Sequence, residues 1–74
     1  MRRYLLYKGE ISRLPAGTRA AQVIAGRAWI SVAGKDIILH TGEAADLPHR
    51  GEAPVASALG DQPLVIEVKG ARHD

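Results

Sequence analysis

The chain has no cysteine and no phenylalanine, and only one Met, one Trp and two Tyr in 74 residues. Without cysteine there is no disulfide staple and no thiolate nucleophile, and the absence fits a reducing cytoplasm. Without Phe the core has to be aliphatic, built from seven Leu, six Ile, five Val and some of the twelve Ala. Leu, Ile and Val together make up about a quarter of the chain, above the roughly 20% below which chains tend to stay disordered. A chain this short forms one domain, residues 1–74, with 70–74 read as a frayed tail. Such a domain buries only roughly 60% of its unfolded surface, so self-association is the expected extra support.

Long apolar runs are missing as well. No stretch approaches the ~18 residues of a membrane span, so no membrane contact is expected. Met1-Arg2-Arg3 ahead of Tyr4–Tyr7 has the charge pattern of a secretory leader. Lys8 and Glu10 end that run far short of the roughly 7–15 apolar residues a leader needs, and the expectation is a cytoplasmic chain. Runs of one charge are absent too. Ten Lys or Arg face eight Asp or Glu, giving a net charge of +2, and the densest basic group is Arg2, Arg3 and Lys8. Tails that bind nucleic acid carry longer blocks of like charge.

What the chain does have is regular glycine, at positions 9, 17, 26, 34, 42, 51, 60 and 70. Turn residues every eight to ten positions, separated by short apolar stretches, mark an all-β sandwich or barrel. The spacing predicts eight strands, over 3–7, 10–14, 18–25, 27–33, 36–40, 43–47, 55–59 and 64–69. Thr18–Ala25 is Ala-rich, yet Val23 and Ile24 are β-branched and eight residues make a poor isolated helix. Arg27–Ala33 alternates cleanly, with Arg27, Trp29 and Ser31 on one face and Ala28, Ile30 and Val32 on the other. Gly34-Lys35 reads as a two-residue hairpin loop into Asp36–His40. Leu64, Ile66 and Val68 are expected inward, with Glu67 and Lys69 outward.

From Gly26 onward the residues carry a resemblance. The ordered series Gly26-Arg27-Ala28-Trp29-Ile30-Ser31, Gly34, Asp36, Leu39, Gly42-Glu43, Leu47-Pro48, Gly51, Val55 and Ala58-Leu59 is similar to a short bacterial family of cupin-like proteins of unknown function. That family's hallmark is Gly-Arg-Val-Trp-Leu-Thr followed by Gly-Glu and Leu-Pro; here Ala28 replaces the usual Val and Ser31 the usual Thr. The resemblance spans roughly residues 18 to 69 and implies a small cupin-like antiparallel barrel, with no activity attached. Metal-binding cupins carry His-x-His and Glu after a glycine, and a later stretch of Gly, five residues, Pro, one residue, Gly, two residues and His. After Gly26 this chain has Trp29, Ser31 and Ala33 instead. Gly42 and Pro48 fit the second stretch, but Gly51 comes one residue late and no ligand type stands near Pro54.

Catalytic chemistry finds little to work with. His40, Glu43 and His49 flank one turn-strand-turn unit and are weak metal candidates, since the nine-residue gap between the two His fixes no geometry, and His73 lies in the tail. Ser12, Ser31 and Ser57 sit in strands, not in a Gly-x-Ser-x-Gly elbow. Asp36, Glu43 and Asp46 are turn and edge carboxylates, and single glycines between strands make no phosphate cradle. No cofactor is expected. Trp29, with Arg27 and Ser31 on the same face, is the residue set most open to a binding role. If the aliphatic face of that strand points inward, Trp29 meets a ligand or a subunit interface; if not, it fills the core. The residues point to a homodimeric, non-catalytic binding or interaction module. The alternatives are a barrel that binds single-stranded nucleic acid and a divergent metal-dependent cupin enzyme.

Overall fold

The structure, a computed structural model, describes residues 2–48 and 52–70. These residues form eight strands and no helix: β1 (Arg2–Leu6), β2 (Ile11–Arg13), β3 (Thr18–Ala25), β4 (Arg27–Val32), β5 (Lys35–Leu39), β6 (Ala44–Asp46), β7 (Val55–Leu59) and β8 (Leu64–Gly70). All pairing is antiparallel. β4 pairs with β5, β3 with β6, β2 with β7 and β1 with β8. The chain is thus one long antiparallel ribbon, folded back on itself at the β4–β5 hairpin. The ribbon is then coiled, so that β3 also pairs with β8 and β4 with β7. The result is two four-stranded sheets, β1-β8-β3-β6 and β2-β7-β4-β5, which is the winding of a jelly roll.

Alternation decides what each sheet puts inside. From the first sheet, Leu6, Thr18, Ala21, Val23, Leu64, Ile66 and Val68 are buried; from the second, Ala28, Ile30, Val32, Leu39 and Ala56. Leu14, Leu47 and Pro54 close the ends, and Tyr4, Ile37, Ala45 and Ala58 pack around the rim. The interior is filled by branched aliphatics, with Ala opposite them where the sheets approach closely. Thr18 is the one buried polar side chain in this set, and its Oγ1 donates to the Pro15 carbonyl at 2.6 Å. Among the described residues no buried side-chain polar atom lacks a partner.

Glycine marks the corners at which the chain leaves one sheet for the other. Gly26, between β3 and β4, is the tightest. Its φ is +83°, and a Cβ built there would run into the Pro63 carbonyl oxygen and the Leu64 Cα of the β7–β8 corner. Thr41 Oγ1 donates to the Gly26 carbonyl at 2.7 Å, tying the β5–β6 corner to the same point. Lys8 and Asp61 pair across the β1–β2 and β7–β8 corners at 2.9 Å.

The eight expected strands are all present, with ends that differ by one or two residues. Two details are corrected. Gly70 belongs to β8, where it pairs opposite Thr18, and 71–74 lie outside the described residues. The β4–β5 loop is Ala33-Gly34, closed by Val32 opposite Lys35, not Gly34-Lys35. Ala33 (φ 51°) and Gly34 (φ 76°) are both left-handed, the pair of conformations whose twist matches that of the flanking strands. A loop one residue later would have required a left-handed lysine. The shift changes the cross-strand partners along the whole hairpin.

These contacts separate two glycines with similar backbone angles. Gly26→Ala combines a left-handed φ with a backbone collision and is expected to cost at least about 2 kcal/mol, lowering Tm by ~10 °C or more. Gly34→Ala has φ 76° but open space around it and should cost only about 1 kcal/mol. Thermal unfolding of the two variants side by side checks both values.

Candidate functional site

The outer face of the β2-β7-β4-β5 sheet holds the residues that stand out. Because β4 buries Ala28, Ile30 and Val32, its other face turns Arg27, Trp29 and Ser31 to solvent. Pairing then fixes their neighbours. Ile11 lies opposite Ser57, Ser57 opposite Trp29, and Trp29 opposite Ile38. One row thus crosses all four strands as Ile11–Ser57–Trp29–Ile38. Ile11 is 71% exposed, Trp29 43% and Ile38 56%. The next row reads Arg13–Val55–Ser31–Asp36. On the other side Leu59 pairs with Arg27.

Trp29 is therefore an outward residue, not core filler. Ser31 sits between Val55 and Asp36. Arg27 lies back over the β7–β8 corner, where its guanidinium covers Gly60; a Cβ at Gly60 would come within 2.6 Å of Nη2. The glycine leaves the room that the guanidinium occupies. Arg13 and Asp36 are exposed at opposite margins of one row, about 14 Å apart across three strand spacings. Neither takes part in an ion pair among the described residues. Sequence reading singled out Trp29, Arg27 and Ser31 but missed Ile11, Ile38, Ser57, Arg13 and Asp36. A signal was there for two of them. Ile37-Ile38-Leu39 cannot all face inward from a strand, and Ile11 and Leu14 are an odd number of residues apart, so one of them must face out.

Of the three weak metal candidates, the structure brings His40 and Glu43 together, while His49 lies outside the described residues. Glu43 Oε1 accepts the His40 backbone N–H at 2.7 Å and lies 3.2 Å from His40 Nδ1. The Glu43 N–H returns a bond to the His40 carbonyl at 2.9 Å. Tyr7-Lys8-Gly9-Glu10 is built the same way, with the Tyr7 N–H donating to Glu10 Oε1 at 2.6 Å. The shared arrangement makes Gly-Glu a turn-closing device. Among the described residues no three His, Asp or Glu side chains converge as metal ligands do.

The other surface features lie apart from Trp29. On the outer face of the first sheet, Ala20 and Ala44 floor a shallow groove of about 210 Å³ walled by Gln22, Glu67 and Lys69. It continues toward Arg19, Asp46 and Gly70. Glu67 is already engaged by Arg3. The aromatic residues do not share a platform: Tyr4 packs against the core, Tyr7 is exposed in a corner, and Trp29 is on the opposite sheet. No helix is long and apolar enough to cross a membrane.

The bonds to Glu43 hold its carboxyl below the usual carboxylate range, chiefly through the His40 backbone N–H and then the His40 side chain. A lowered folded-state pKa means stability that is present above the unfolded-state value and is lost as pH falls through the folded one. Wild type should therefore be more stable than Glu43→Gln near neutrality, and the gap should close as pH falls through the lowered folded-state value. Unfolding midpoints of the two proteins against pH test this; a gap that stays constant into acid contradicts it.

No family model matches the chain, and no curated protein matches it.

Proposed function

We propose that this chain is a non-catalytic interaction module that docks a partner on the outer face of the β2-β7-β4-β5 sheet. The observation that carries the proposal is the row Ile11–Ser57–Trp29–Ile38, three large apolar side chains held in register on a solvated face. Isolated surface hydrophobics are ordinary, but three large apolar residues in one cross-strand row, Trp29 among them, have the composition of a docking surface. Backbone pairing fixes where these residues stand on the sheet before any partner arrives, which lowers the entropy cost of association.

The jelly-roll winding supports placing the chain with cupin-like proteins, as does the run Gly26-Arg27-Ala28-Trp29. The inward positions of the strand after Gly26 are Ala28, Ile30 and Val32, which offer no donor to a metal. A binding role rather than a catalytic one is consistent with that interior. A cytoplasmic setting fits the lack of cysteine, and a homodimer is the assembly we favour.

The test is a variant that removes the row without touching the core. Ile11→Thr/Ile38→Thr keeps β-branched shape at both positions and should cost less than about 1 kcal/mol of monomer stability. Native mass spectrometry should show wild type holding a second molecule and this variant bare. Wild type that carries one metal ion per chain, or that holds nothing at all, would overturn the proposal.

A further inference from the structure

We infer that the occupant of this face is a second copy of the same chain, laid face to face about a two-fold axis parallel to the strands, between β7 and β4. This presupposes the docking role proposed above and adds which face of the second copy meets it and how. Such an axis sets β2 against the partner's β5 and β7 against the partner's β4, with each row facing itself. The rows then complement themselves. Ile11 meets the partner's Ile38, Trp29 meets the partner's Ser57, and Arg13 meets the partner's Asp36. Each of these contacts occurs twice, as an isologous interface requires.

The match runs through size and charge together. Trp29, the largest side chain of the row, falls opposite the smallest, so the faces interlock rather than abut. Arg13 and Asp36 stand too far apart to pair within one chain, and the rotation joins each to its opposite. A face carrying both charges at opposite margins of one row suits a copy of itself better than a partner of one sign. Beyond that row the surface drops into a groove of about 340 Å³ bounded by Arg13, Glu52, Ala53 and Val55. The same rotation brings the partner's hairpin loop over it. Aligned sheets pack in this way within about 30° of parallel.

Area points to a weak, reversible dimer. Four strands of about five residues make a face of roughly 300 Å² in projection. With side-chain relief, a pair would bury on the order of 1,000 Å² in total, the low end for a specific interface.

Pairing at the sheet edge is a poorer route to the same dimer. In the two-residue hairpin, Lys35, Ile37 and Leu39 bond to β4, which leaves Asp36 and Ile38 to the free edge. The next outward position is His40, whose N–H and carbonyl are both taken by Glu43.

Sedimentation velocity from about 5 to about 500 µM should show a monomer–dimer equilibrium with Kd in the micromolar range. Trp29 is the only Trp, so its emission should shift to the blue over the same range. Arg13→Asp and Asp36→Arg, each alone, should weaken self-association at least tenfold, because the symmetry counts each reversed contact twice. An equimolar mixture of the two variants should associate again, and so should the double variant Arg13→Asp/Asp36→Arg. These positions face solvent, and unchanged circular dichroism confirms that the fold survives. A monomer at every concentration, or a dimer indifferent to both reversals, overturns the inference. If wild type stays monomeric while native mass spectrometry finds a different molecule that Ile11→Thr/Ile38→Thr releases, the copy is excluded and the docking face stands. If nothing is held at all, both fail.

Discussion

Everything in this molecule depends on the contact between two sheets that meet almost entirely through aliphatic side chains. Ile30 of one sheet and Val23, Leu64 and Ile66 of the other are fully buried, with Ala28 and Ala56 as spacers. A core without Phe cannot bridge wide gaps, so the sheets must come close, and the corners between them must be tight. That is why the most constrained backbone position, Gly26, lies at a crossing between sheets and not within a strand. Burial of these groups is the main stabilising contribution, and its geometry tolerates little adjustment.

The same constraint frees the opposite face of each sheet. Once β4 turns Ala28, Ile30 and Val32 inward, Arg27, Trp29 and Ser31 have no choice but solvent. The two outer faces then differ in how their apolar residues are set. The first sheet carries Gln22, Glu67, Lys69, Ala20 and Ala44 over much of its surface, with exposed Leu5 and Ile24 toward one end. The second carries Ile11, Trp29 and Ile38 in one cross-strand row. A solvated sheet gains nothing from such residues, and the row around the only Trp directs attention to that side of the molecule.

Much of the architecture was legible in the sequence, because glycine spacing and period-two alternation are local signals. All eight strands, the division of β4 into an aliphatic and a Trp29 face, and the inward set Leu64, Ile66 and Val68 follow from them; which face of β4 turns inward does not. The pairing order does not, since nothing local says that β1 meets β8 across the whole chain. The site was half legible. Trp29 stood out as a rare residue, but its neighbours depend on register. Placing the hairpin loop at Gly34-Lys35 sets Trp29 opposite His40, whereas the actual loop, Ala33-Gly34, sets it opposite Ile38. One residue of register separates a polar neighbour from an apolar row.

The central position of β8 has a consequence for how the chain comes into being. β8 lies between β1 and β3, so the first sheet has no middle until residues 64–70 are available. During synthesis the earlier strands emerge before the strand that joins β1 to β3, and the first sheet closes only with it. Acquisition of the full core is therefore expected late, dominated by long-range pairing and slow in the way such topologies are. A truncation that removes the last strand would take away the centre of a sheet rather than its edge.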